Sequence, residues 1–404
     1  MPRVFMYENE YNHLMKLSKW WGNPINKIYL YAFFKNFAFF SAVLVPFFTD
    51  WGGITLLQVQ ILQSWFSIWV FILEVPTGAV ADKIGRKHSL MLGSATIALA
   101  TIIYGSYPSF TIFLIAELLF ALGYALNSGA DQALLYDTIK SQGRESESKK
   151  IMGRSDAIML SGMMLAAPIG SYISSLMGLN APQYMTAIPM LIASAVAWSI
   201  PEPKIHSDSQ TTHYLDIIKQ GFYEMRHNAV IRTLAFDSVV VSSAAYFVVW
   251  FYQPFMKDLG IPIVYFGLAH ALLLLSEILV SSNFEFLEKI LGAGKTYLRN
   301  SALLVTISFI FAAIYPSYLS LIVLIGIGGG IGYTRATYIS SIANKHIKSS
   351  HRATVLSSVG MIRRLALVPL NPVMGAVAVY SLPIAFIVIS LFPLSSIFIK
   401  EAVE

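Results

Sequence analysis

The sequence predicts an all-α polytopic membrane protein with twelve transmembrane helices in two pseudo-symmetric six-helix bundles. Three observations lead there. Of the 404 residues, 56% are hydrophobic and only 12% charged, about half the charged share of soluble domains. Apolar runs long enough to cross a hydrocarbon core of roughly 30 Å recur along the whole chain. Most of the 28 Lys and Arg residues stand near the N-terminus, the C-terminus or the connections after even-numbered helices, four lie inside spans, and only Lys257 falls in a connection after an odd-numbered one. That asymmetry places both termini in the cytoplasm, and the plasma membrane is the expected location.

Taken in order, residues 1–24 form a cytoplasmic segment with Glu8, Glu10, Lys16 and Lys19 and no apolar core, so they are not a cleavable signal. At about 20 apolar residues per span, helices are expected at 25–48, 55–81, 89–108, 110–135, 156–178 and 182–200. These make the N-terminal bundle, residues 25–200. Residues 201–230 are a cytoplasmic linker in which Tyr214, Leu215, Ile218, Phe222 and Met225 recur at helical spacing, as in an amphipathic helix lying on the membrane. The C-terminal bundle, residues 231–399, carries helices at 231–256, 263–286, 297–315, 317–339, 355–378 and 382–399, and residues 400–404 are a cytoplasmic tail. There is no cysteine, and the eight histidines form no spaced cluster. No metal, no cofactor and no catalytic constellation is therefore expected. The net charge of +6 is explained by orientation in the bilayer, so a nucleic-acid partner is not expected either.

One charged turn interrupts the apolar first third: Glu74-Val-Pro-Thr-Gly78-Ala-Val-Ala-Asp82-Lys83-Ile-Gly85-Arg86-Lys87. Gly78 would let helix two pack closely on a neighbour, and Gly85 would permit a sharp reversal. Asp82 can face a helix N-terminus or a cation, while Arg86 and Lys87 can meet carboxylates or lipid phosphates. After the second helix of the other half comes Glu288-Lys289-Ile290-Leu291-Gly292-Ala293-Gly294-Lys295. It too runs from an acid through glycine to a base, as internal duplication would leave it.

On these residues the chain resembles the major facilitator superfamily of secondary transporters. The family signature between helices two and three is Gly-x-x-x-Asp-Arg/Lys-x-Gly-Arg-Arg/Lys. Gly78, Asp82, Lys83, Gly85, Arg86 and Lys87 meet it in register. The resemblance implies that Asp82 caps the start of helix eleven near Arg352, and that Arg86 pairs with Asp131 or Asp137 at the inner end of helix four. Glu74, Asp131 and Arg335 would then join a cytoplasmic gate. Two places depart from the family pattern: Glu117 stands where many members have an arginine, and the glycine-proline pattern of helix five survives only as Gly162, Ala166-Ala167-Pro168 and Gly170.

Ionisable groups inside a span cost about 2.5–3.5 kcal/mol on insertion scales, so each needs a partner, a cavity or a function. They fall at Lys35 in helix one, Glu74 in two, Glu117 and Asp131 in four, Asp237 in seven, Glu277 in eight, Arg335 in ten and Arg363-Arg364 in eleven. In the family, helices one, four, seven and ten line the cavity. At ~1.5 Å per residue, Lys35 lies about 15 Å deep, near the midplane, where facilitator substrates bind. It is expected to bind substrate or counter-ion, or to pair with Glu117 or Glu277. Glu117 and Glu277 are candidates to carry coupling protons, since an apolar setting favours the neutral acid. Asn36, Asn127, Asp237 and Arg363 complete the candidate substrate and coupling set. His270 is expected to pack by hydrogen bonding, and the glycines from Gly326 to Gly332 either to hinge helix ten or to pack it closely.

The expected function is secondary active transport of a small solute by alternating access, coupled to protons, with export of amphipathic compounds slightly favoured. An anionic or zwitterionic metabolite is the alternative cargo, and a non-transporting receptor or assembly factor is the alternative of another class. The protein is expected to work as a monomer.

Overall fold

The computed structural model describes residues 21–203, 223, 226–346 and 352–397. The N-terminal segment up to residue 20, most of the predicted amphipathic linker helix and the tail at 400–404 lie outside the described residues. All regular structure described is helical. The successive spans are α1 (Pro24–Lys35), α2 (Leu56–Ile84), α3 (Arg86–Ser106), α4 (Phe110–Asn127), α5 (Ser148–Met177) and α6 (Ala181–Ser199). In the second half they are α7 (Ala229–Asp258), α8 (Phe266–Ser282), α9 (Lys295–Ile314), α10 (Tyr318–Val323 and Gly330–His346, joined by a π turn), α11 (Arg352–Tyr380) and α12 (Leu382–Ile397). Short helices Ala130–Ser141 and Phe284–Leu291 follow α4 and α8.

Among the described residues, nine helices, α2–α5 and α7–α11, are long and apolar enough to cross a membrane. The other three predicted spans fall short for identifiable reasons. α1 is broken, α6 is diluted by Pro182, Gln183 and Pro189, and α12 has only 16 residues. The face of the bundle that carries the basic connections is called the basic face below, and the opposite one the far face.

Three boundaries differ from the sequence reading, the first because tertiary contacts override an apolar pattern. The first span does not run unbroken over 25–48: α1 stops at Lys35, and the chain resumes as a short helix at Leu44–Pro46 and a π turn at Phe47–Trp51. The Thr186 hydroxyl accepts from the Phe39 N–H at 3.0 Å, and Gly170 leaves room for the Phe39 carbonyl to press directly on α5. Irregular backbone at this depth is tolerated only where protein or a cavity surrounds it. The fourth span breaks at Gly129, with φ +74°. The basic turn shrinks to Gly85 alone, at φ +98°, because α2 runs through Asp82-Lys83-Ile84 and α3 begins at Arg86.

The two halves meet at the far face and part toward the basic face. One apolar cluster spans both halves there, joining Phe47, Phe48, Leu62 and Phe113 to Phe247, Phe251, Phe255 and Phe266. Near the basic face each half keeps a cluster of its own, around Ile28, Leu134 and Ile200 in the first and around Leu234, Tyr297 and Ile339 in the second. Glycines report the same asymmetry. On the far side, a Cβ at Gly375 would lie 2.9 Å from the α2 backbone at Leu57, and one at Gly267 would collide with Ala167 and Pro168 of α5. Gly78, Gly153 and Gly360, on the basic side of α2, α5 and α11, would meet nothing within 4 Å. The close packing expected at Gly78 is thus absent, since no neighbour comes within 4 Å of where its Cβ would be.

Candidate functional site

Where the halves converge, a cavity of about 170 Å³ opens beside the broken first span. Phe40, Phe66, Phe120 and Trp250 give it aromatic walls, and Gln63, Glu117 and Gln183 supply polar groups. Glu117 on α4 is 5% exposed. The Gln63 amide on α2 donates to its carboxyl at 3.0 Å, and the Tyr104 phenol on α3 lies in bonding reach of the same group. Gln183 on α6 is 1% exposed, and its amide nitrogen has no protein partner. Trp250 on α7 brings the second half into the wall. Tyr246 on α7 and Tyr333 on α10 pack against the apolar cluster that joins the halves, and Tyr333 lies close enough to Glu277 on α8 and Arg363 on α11 to feel both charges. The site can therefore offer a hydrogen-bonding carboxyl, amides of both polarities and flat apolar rings.

Several residues expected in the cavity sit elsewhere. Lys35 pairs with Asp131 at 2.5 Å, not with Glu117 or Glu277, because the break after α1 leaves its ammonium beside the break after α4 and over the Tyr31 ring. Asp131 is therefore a partner of Lys35 and not of Arg86; the Arg86 guanidinium bonds Asp137. Asp237 and Arg335 are removed from both cavity and gate. They form a buried pair inside the second half, with Arg335 Nη2 to Asp237 Oδ1 at 2.6 Å and Nε to Oδ2 at 2.7 Å. The same guanidinium donates to the Ser301 hydroxyl at 2.5 Å and the Leu298 carbonyl at 2.7 Å, and the Ser396 hydroxyl donates to Asp237.

Asn36 caps α1 by donating to the Ala32 carbonyl at 2.8 Å. Asn127 accepts from the Tyr31 phenol at 2.9 Å. His270 bonds the Tyr252 hydroxyl at 3.1 Å. The glycines of α10 pack closely: a Cβ at Gly330 or Gly332 would press on Ser276 or Ala245.

At the basic face, Asp82 is exposed, and the side chain of Arg352, its expected neighbour, lies outside the described residues. Lys87 is half-buried beside Arg86. The sequence reading missed Glu202, whose carboxylate accepts from the Arg86 and Lys87 N–H groups at 2.6 and 3.2 Å. It occupies the N-terminus of α3, where a helix favours negative charge. Glu74 on α2 meets Arg364 on α11 across the halves at 3.4 Å.

A helical protein with a signature turn, two halves and a polar cavity between them calls for comparison with known carriers. The family model of the Major Facilitator Superfamily matches residues 28–369. The chain belongs to that superfamily. A solved nucleoside transporter, NupG, superposes with a TM-score of 0.77 at 14% identity, covering 93% of this facilitator and 98% of that chain. A bacterial homologue of the human lysosomal transporter Spinster, solved in an inward-facing and unoccupied conformation, superposes with a TM-score of 0.72 at 15% identity, covering 93% and 95%. Among curated proteins, a D-xylose-proton symporter-like protein of Arabidopsis thaliana chloroplasts is 22% identical over 154 residues, 38% of this chain and 27% of its own length. The facilitator thus matches only about a quarter of that relative. Membership of the superfamily makes the chain a membrane transporter with many helices.

Proposed function

We propose that the chain is a proton-coupled secondary transporter for a small neutral solute whose ring bears hydroxyl or amide groups, working by alternating access. The observation that carries this reading is Glu117. It is buried in an aromatic-walled cavity between the halves, held by a neutral amide, and faces no cation bonded to it among the described residues. Such a carboxyl can hold a proton in one state and release it in another. Lys35 and Arg335, which would have favoured an anion, are both engaged by carboxylates. A nucleoside transporter among the structural neighbours and a xylose symporter-like relative agree with a solute of this size and polarity. The basic connections support an orientation with both termini in the cytoplasm and the present conformation open to the inside, and we place the protein in the plasma membrane. The aromatic walls favour a second reading, export of flat amphipathic compounds.

The test is uptake and counterflow in proteoliposomes under an imposed pH gradient, with pentoses, hexoses, nucleosides and amphipathic cations as candidate solutes. Accumulation of a neutral ring solute driven by the gradient is expected. Glu117→Gln is expected to abolish gradient-driven accumulation while sparing counterflow. Accumulation unchanged in that variant would remove Glu117 from coupling, and exchange of amphipathic cations alone would favour export. No exchange of any solute would point to a receptor.

A further inference from the structure

We infer that Gln253 on α7 positions the first-span wall of the cavity by standing in the Ser41–Val45 rung of that span, and that the rung closes on itself when the halves part at the far face. The inference rests on the alternating-access reading and on no particular solute or proton site.

In an unbroken α-helix the Ser41 carbonyl would accept from the Val45 N–H, four residues on. Here the Val45 N–H donates to the Gln253 side-chain oxygen at 2.9 Å, and the Gln253 amide nitrogen donates to the Ser41 carbonyl at 3.2 Å. One amide of the second half thus bridges two backbone groups of the first that a regular helix would join to each other. A side chain inserted in the ladder is among the few causes of a sharp helix interruption. The next rung is altered for a covalent reason, since Pro46 has no N–H to offer the Ala42 carbonyl. Gln253 is 1% exposed, and it reaches Val45 inside the apolar cluster that joins the halves. The rung also lies at the solute site. Phe40 and Leu44, each immediately before one of the bridged residues, line the cavity, as does Trp250, three residues before Gln253 on α7.

A backbone N–H or C=O left unpaired at membrane depth is costly, so a latch that grips backbone resists opening unless the gripped groups have a second partner. Ser41 and Val45 have one in each other. When Gln253 withdraws with α7, its amide meets the water of the opened gate, and the Ser41 carbonyl takes the Val45 N–H. Backbone pairing is kept in both conformations. Closing the rung changes the local pitch of the first span and carries Phe40 and Leu44 away from their present places. The wall seen here therefore belongs to the conformation closed at the far face, and the solute site is remade each time that face opens.

Phe40 and Phe120 both belong to the first half, with ring centroids 6.0 Å apart, so their separation responds to the rung and not to movement of one half against the other. The chain contains no cysteine. Phe40→Cys with Phe120→Cys, bridged by a short bifunctional thiol reagent in vesicles without solute, reads that separation. Gln253→Leu is expected to slow bridging by about tenfold, the scale of two hydrogen bonds between membrane helices. Gly267→Val, whose side chain would collide with α5 and hold the far face apart, is expected to do the same. Gln253→Glu, measured against the parent at each pH, is expected to bridge normally in acid, where the protonated carboxyl accepts from Val45 and donates to Ser41. In alkali, where it can only accept, it should slow like the leucine variant. Deuterium uptake at Val45 in Gln253→Leu is expected to be no faster than in the parent, since Ser41 takes over its N–H. Unchanged bridging in Gln253→Leu, with Gln253→Glu indifferent to pH, would overturn the positioning role, and faster uptake at Val45 would overturn the closing of the rung. If Gly267→Val raises labelling of a cavity cysteine from the far face without slowing bridging, opening does not close the rung and that half of the inference falls. If it changes neither, alternation itself is at fault, and the Gln253 variants still decide the positioning role. Should Gln253→Leu fail to fold, Gln253→Glu at two pH values carries the same signed expectation.

Discussion

The buried pair of Asp237 and Arg335 gives the most direct way to separate structure from transport in the second half, because both residues invite a transport role by sequence alone. Asp237→Ala would leave a guanidinium, whose side chain is 0% exposed, without its counter-charge. Removing one partner of such a pair costs about 3–5 kcal/mol. Neutral hydrogen bonds between membrane helices average only about 0.6 kcal/mol each, so loss of the bonds alone would account for roughly 1–2 kcal/mol. The charge therefore dominates. Replacing both residues with leucine should recover most of the loss, since apolar side chains of similar volume often substitute for a buried ion pair without penalty. Equilibrium unfolding in mixed micelles, read as a double-mutant cycle, is expected to give a coupling energy above about 2 kcal/mol. Solute affinity of the leucine pair should match the parent protein. A loss below about 1 kcal/mol in Asp237→Ala, or a fall in affinity in the folded double variant, would refute the structural assignment and return Asp237 to the cavity.

Lys35→Ala is expected to abolish transport while the protein stays folded in detergent. Exchanging the charges as Lys35→Asp with Asp131→Lys should restore part of it if the pair acts by bridging the two helix breaks, whereas a solute contact at Lys35 would not be rescued; uptake by the three variants decides. Gly267→Val should hinder far-face closure, because its side chain would run into Ala167 and Pro168, and so raise far-face labelling of a cavity cysteine. Gly360→Ala, with nothing within 4 Å of the added Cβ, should leave labelling unchanged; equal effects at the two sites would contradict the asymmetry between the faces.

Much of the architecture is legible in the sequence because the bilayer imposes it. Spans must be long, apolar and internally bonded, so their order, the basic connections and the Gly85 reversal can be read from residue types and spacing. What hydropathy does not reveal is where tertiary contacts break a span. Nothing apolar distinguishes Asn36–Phe40 from its neighbours; the interruption depends on Thr186 reaching the Phe39 N–H and on Gly170 lacking a side chain. Likewise the choice between hinge and close packing for the α10 glycines is decided by Ser276 and Ala245, residues far away in the chain.

The site was half legible, for a reason that lies in the kind of signal used. A census of charges inside spans finds Glu117, which lines the cavity, but it finds Lys35, Asp237 and Arg335 with equal weight. The two groups differ by partner, and a partner on another helix is invisible to depth counting. The informative residues that escaped are neutral: Gln63, Gln183 and Gln253. Each is a long or branched amide in an otherwise apolar run, costly to bury unless bonded, so counting amides alongside charges would have pointed at the cavity and the gate together. Their division of labour follows from satisfaction. Gln63 is bonded to Glu117 and orders the site, and Gln253 is bonded across the halves and locks them. Gln183 puts a buried amide into the cavity wall.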